Sequence, residues 1–196
     1  YGTRYTLNSL EKARQASSFD NIKTSPENNR MLKILKSSFV MPPPLDESLA
    51  SELSEITTSL EAMYGSGEYC YEDGHCFDLE AFEAIIDKSR NPKQLLSAWR
   101  GWHEIGKPMK PMYLRMVEIG NKGSEDLGYE GLSDLWFSKY DMPADEFLNE
   151  TDRVWDEVKP LYDALHCHVR AKLNDHYGDD VISKTGPLPV HMLGNM

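Results

Sequence analysis

Cys70 and Cys76 bracket the polar loop "YEDGH", with His75 beside the second thiol. Such a pair supports three chemistries: zinc ligation, dithiol redox exchange or a covalent cross-link. Structural zinc sites space paired cysteines by about two to four residues and complete the tetrahedron with a second pair or with histidines; here only His75 is near. Redox pairs read C-x-x-C beside a βαβ pattern, and neither is present. The remaining reading is a disulfide that closes a small loop with Gly74 at its turn. The chain-entropy treatment puts it at about 2 to 2.5 kcal/mol, and it implies an oxidising compartment. Cys167 is then unpaired, and on its helical stretch it is expected as a buried, inert thiol. Asn149-Glu150-Thr151 is a glycosylation sequon that agrees with export.

Other chemistry-bearing residues form no complete set. "WHEIGK" opens like H-E-x-x-H, in which two histidines one helical turn apart hold zinc beside a general-base glutamate. Lys107 occupies the second-histidine position, so His103 and Glu104 read as an ordinary helical pair. His166 and His168 flank Cys167 but point to different faces of a helix. Trp99 and Trp102, three apart, read as core.

The elements that must position these residues are helical nearly throughout. "PLDESLASELSEITTSLEAMY" places Leu45, Leu49, Leu53, Ile56, Leu60 and Met63 on one stripe, worth roughly 10 kcal/mol as an upper estimate if fully buried. Pro42, Pro43 and Pro44 permit a helix start there. Asp78 is the expected N-cap of "DLEAFEAIIDKSR", and Asn91-Pro92 opens the helix that carries both tryptophans. Another helix follows a break at Gly106 and Pro108, and then comes the short "GLSDLWFSKY". The longest helix runs from about Ala144 to Tyr177 and continues in phase past Pro160, where a kink is expected. Upstream, "YTLNSLEKARQASSF" and "ENNRMLKILKSSF" read as two shorter helices. No alternation is long enough for a confident strand, so the fold class is all-α.

The formal charge of -11, from 21 basic and 32 acidic residues, works against non-specific binding to nucleic acid or an anionic bilayer, which demands a surplus of Lys and Arg, so no nucleic-acid partner is expected. No apolar run approaches the roughly 20 residues that cross a bilayer. The chain opens on Tyr1 and stops in "LPVHMLGNM" without a cap or polar tail, so both ends are read as cuts in a longer polypeptide.

Several of these segments, in order, resemble the angiotensin-converting enzyme family of zinc peptidyl-dipeptidases. They are the C-x-x-x-x-x-C loop of Cys70 and Cys76, Leu79-Glu80 at a helix start, Ser89-Arg90 before the W-x-x-W of Trp99 and Trp102, then "VKPLYDALHCHVRAKLNDHYGD" and "GPLPVHMLGNM". "YDMPADEF" and "LHCHVR" look more like the family's bacterial branch. The resemblance implies the disulfide, and a large two-lobed helical fold of which residues 1–196 are the N-terminal part: residues 1–40 lid helices, 41–196 a body lining a channel. It implies an enzyme of about 600 residues, beyond one compact core, that releases C-terminal dipeptides from oligopeptides. Its zinc ligands would follow residue 196, leaving this piece inactive.

The resemblance carries two further roles. Glu80 matches a glutamate of the substrate pocket that favours basic groups just beyond the cleaved bond. Tyr177 matches a tyrosine at a chloride site, where its hydroxyl donates to the anion. Phe137 stands where the family has an arginine of a second chloride site, so that site is expected to be absent or altered, with weaker chloride activation. The implied partners are peptides, the implied location secreted, periplasmic or extracellular, and membrane association would come only through a C-terminal segment beyond this chain. The competing reading is a non-catalytic helical binding module or an inactive paralogue, without the zinc ligands.

Overall fold

Local chemistry starts the helices where the sequence places it. Ser25 accepts the Asn28 N–H at 3.3 Å and Pro26 takes the first turn of α2 (Pro26–Lys36). Asp78 accepts the Ala81 N–H at 2.9 Å to open α4 (Leu79–Lys88). Asn91 accepts from Lys93 and Gln94, with Pro92 next, to open α5 (Pro92–Gly106). Each cap satisfies amides that have no partner within the helix.

The structure, a computed structural model, describes residues 2–19 and 21–194, with side chains from residue 8 onward. Among these, α1 (Gly2–Ser17), α3 (Glu47–Gly65), α6 (Met109–Glu125), α7 (Leu132–Phe137) and α8 (Ala144–Tyr177) complete the helices. The fold is all-α in class, with one departure from the sequence expectation. The strands β1 (Glu68–Cys70) and β2 (Cys76–Asp78) pair antiparallel, Cys70 opposite Cys76. Strands of three residues are shorter than the alternation that reveals a strand. The disulfide and the turn hold them together.

Contacts divide the chain into two compact units, residues 1–58 with 111–150 and residues 59–110 with 151–196. In the first, Leu10 and Ala13 of α1 pack with Leu127, and Phe39 and Tyr129 close over them. Gly123 lies against the proline run, where a Cβ would sit 1.8 Å from the Pro42 carbonyl oxygen. Arg115 donates from Nε and Nη2 to both oxygens of Glu52, at 2.7 and 2.9 Å. Helix α2 buries none of its residues. It is tied to the turn before α8 by the Arg30–Asp141 ion pair at 2.8 Å and by Lys33 donating to the Tyr140 carbonyl at 2.9 Å.

In the second unit, Phe82, Ile86, Leu95, Ala98, Trp102, Ile182 and Met192 form the core, with Tyr69, Tyr71 and Phe77 of the hairpin packed on it. Trp102 is therefore core, and Trp99 is half-buried.

The expectation for the α3 stripe is corrected. Leu45 lies outside α3 and is 60% exposed, because its N–H donates to Asp126 and Asp46 caps the helix instead. Of the expected stripe only Leu53 and Leu60 are buried, so the sum over six side chains is not realised within this chain. Helix α8 is continuous through Pro160, yet no residue of it is buried, and Leu161 is 72% exposed. Its apolar stripe is uncovered among the described residues.

Candidate functional site

Chemistry-bearing side chains gather around the second unit's hairpin and the helices it meets. The Cys70–Cys76 bond closes the hairpin, with Gly74 at φ 86° in the left-handed region that glycine tolerates. Asp73 accepts from the His75 N–H at 3.0 Å and meets the ring at 3.2 Å, and these two contacts hold its carboxyl below the usual range. The carboxylate thus locks its own turn.

These residues do not fit zinc. Among the described residues, Glu68, Cys70 and Cys76 alone bring three possible ligand atoms within 4.8 Å of one another, and both sulfurs are spent in the disulfide. His103 stacks on Trp99 with ring centroids 3.9 Å apart and places Nδ1 2.7 Å from the Trp99 carbonyl, while Glu104 pairs with Lys107 at 2.6 Å.

Glu80 stands exposed in the first turn of α4. It shares a concavity of about 450 Å³ with Glu68, Asp78 and Glu83, so four carboxylates converge where the sequence singled out one. Only Glu80 and Glu83 could have been paired from spacing, three apart on a helix.

Tyr177, half-buried at the end of α8, lines a separate cavity of about 390 Å³ with Arg90, His176 and His191. Arg90 donates to the carbonyls of Asp87 and Ser89 at 2.9 and 2.8 Å. Burial, and then the Arg100 charge, hold His191 below the ordinary histidine range. Arg90 and His191 are remote from Tyr177 in sequence, and no motif announced them. Arg170, donating to the carbonyls of Ser183 and Gly186, and Asn174, donating to the Ile182 carbonyl at 2.9 Å, hold the loop after α8 against the helix.

In the first unit, Phe137 packs its ring 5.6 Å from Phe147 and 6.5 Å from Tyr140. It carries no donor that could hold an anion. Asn149 is exposed on α8, and Cys167 is exposed as well, which corrects the buried thiol expected from sequence. The sequence supplied a buried-thiol prior, but α8 buries nothing here. No helix among the described residues is long and apolar enough to cross a membrane.

A helical body, a covalently closed hairpin and concavities lined by charged side chains define an all-α protein. The model of the angiotensin-converting enzyme family, peptidase M2, matches residues 3–196. The chain belongs to that family. It is 38% identical over 147 residues to angiotensin-converting enzyme from Bos taurus, covering 74% of this chain and 11% of that one. It is 35% identical over 169 residues to angiotensin-converting enzyme-like protein Ace3 from Mus musculus, covering 85% and 22%. To angiotensin-converting enzyme from Haematobia irritans exigua it is 34% identical over 151 residues, covering 74% and 24%. The chain thus spans a quarter or less of these relatives. All three are animal proteins, so the bacterial likeness read from "YDMPADEF" and "LHCHVR" finds no support among them.

Proposed function

We propose that this chain is the N-terminal part of a zinc-dependent peptidyl-dipeptidase that removes C-terminal dipeptides from oligopeptides. The observation that carries the reading is the family match across residues 3–196. The small share of each relative that the chain spans supports a longer protein. When bound, zinc would polarise the scissile carbonyl and activate water. Among the described residues no group of three possible ligands is free to hold that ion, and in this reading its ligands belong to polypeptide beyond the chain.

This chain's own residues have recognition roles in that reading. Glu80, in its group of four carboxylates, attracts basic side chains of the peptide. The Tyr177 hydroxyl donates to a chloride, and Phe137 leaves a second anion site without its cation. Helices α1 and α2 act as a lid; the burial-free α2, held by exposed polar ties, supports that role. The disulfide supports a secreted, periplasmic or extracellular setting, in which Asn149 is accessible to glycosylation in a eukaryotic host. Any membrane attachment would be made by a segment C-terminal to this chain.

The test is release of dipeptides from an N-blocked tripeptide by the full-length protein, with and without a zinc chelator. Chelator-sensitive release supports the reading. Its absence in a protein that still binds peptides favours a non-catalytic module or inactive paralogue.

A further inference from the structure

Helix α5 turns one face to the disulfide hairpin, and the cleft between them measures about 640 Å³, within the range of ligand sites. Tyr69 and Tyr71 form one wall, their rings edge to face at 5.1 Å. The floor is Gly101, where a Cβ would lie 2.9 Å from Tyr69 Cδ1 and 3.2 Å from the Tyr71 hydroxyl, so both rings rest on the helix backbone. The disulfide and the Tyr71 N–H donating to the His75 carbonyl at 2.9 Å fix that wall.

Five charged groups line the cleft, and two of them are committed. Asp73 is turned to His75, and Glu104 to Lys107. The side chains of Glu72, Lys93 and Arg100 remain, with no side-chain hydrogen bond or ion pair among the described residues. Lys93 and Arg100 are two helical turns apart on one face, about 10 Å along the axis, and Glu72 faces them from the hairpin tip. On a chain of net charge -11, two uncommitted cations opposite one uncommitted carboxylate, with an aromatic wall between, form a cleft complementary to a zwitterion.

We propose that this cleft binds short peptides with free termini, the ammonium on Glu72, the carboxylate on Arg100 and Lys93, and a side chain against Tyr69 and Tyr71. Binding here requires neither zinc nor turnover, so it stands independently of the peptidase reading.

The test is photo-crosslinking of the zinc-chelated full-length protein with the tripeptide alanyl-benzoylphenylalanyl-alanine, in free, N-acetylated and C-amidated forms, with adducts mapped by mass spectrometry. The free form is expected to label residues 68–78 and α5. Either cap should reduce that labelling about two- to fivefold, the scale of one exposed charge pair. Glu72→Gln should abolish the effect of acetylation only, and Lys93→Gln with Arg100→Gln the effect of amidation only. Labelling confined to other segments, or equal labelling of the hairpin and α5 by all three forms, would overturn the proposal. The comparison of capped and free peptide on the unaltered protein needs no variant to fold.

Discussion

Replacing Gly123 by alanine is the sharpest structural perturbation available in the first unit. On helix propensity alone, Gly→Ala in a helix interior stabilises by about 1 kcal/mol. At Gly123 the new Cβ would meet the Pro42 carbonyl oxygen at 1.8 Å, the Pro42 carbonyl carbon at 2.8 Å and the Pro43 carbonyl carbon at 3.1 Å. All three are backbone atoms of a proline run whose φ angles are fixed by their rings. Relief therefore demands movement of a whole segment, and overpacking of this kind costs about 1 to 3 kcal/mol. An approach of 1.8 Å to backbone falls at the upper end of that range, so the contact outweighs the propensity gain and net destabilisation of about 2 kcal/mol is expected. Gly106, at the end of α5, has nothing within 4 Å of its Cβ position and serves as the control; Gly106→Ala should be neutral or slightly stabilising. Urea denaturation of the full-length protein followed by tryptophan fluorescence, with hydrogen exchange of α6 read alongside, measures both. A Gly123→Ala protein as stable as its parent would refute the close approach of α6 to residues 42–43.

Asp141 sits below the ordinary carboxylate range because Arg30, and more weakly Lys33, favour its charged form. Its tie to α2 is therefore present above the unfolded carboxylate pKa and lost as pH falls through the lower folded value; exchange of α2 amides should speed up on acidification, with added salt and in Asp141→Asn, and unchanged exchange under all three would remove that tie from the account. Replacing Cys70 and Cys76 with serine should cost about 2 kcal/mol, the loop entropy for a separation of 6 residues, and a denaturation midpoint unmoved by the change would contradict a bonded pair. If the full-length protein has the proposed activity, Phe137→Arg should strengthen its dependence on chloride, measured as activity against chloride concentration; an unaltered curve would sink the proposed anion site. Glu80→Gln should reduce discrimination in favour of basic peptides about two- to fivefold in kcat/KM, and equal preference in both proteins would place the pocket's selectivity elsewhere.

Much of the fold is legible in the sequence because helix signals are local. Asp78 and Asn91-Pro92 each satisfy amides within three residues, and α8 keeps its phase through Pro160. Tertiary facts are not written in spacing. Leu45 fits the stripe of α3 yet is drawn out of the helix by Asp126, distant in sequence. The three-residue strands have no period to detect, and Cys167 lies exposed because no described residue covers its helix. The site divides in the same way. Lys93 and Arg100 share a face by spacing alone, whereas their position opposite Glu72 exists only once the hairpin folds onto Gly101. Glu80 stood out through the family resemblance, and the three carboxylates around it through the structure.

The central claim is that this chain supplies recognition and that the reactive metal is held by polypeptide beyond it. Zinc quantification on purified full-length protein and on residues 1–196 prepared identically tests it most directly. Stoichiometric zinc in the full-length protein and background zinc in residues 1–196 is the expected pair of results; tightly bound zinc in residues 1–196 alone would contradict it.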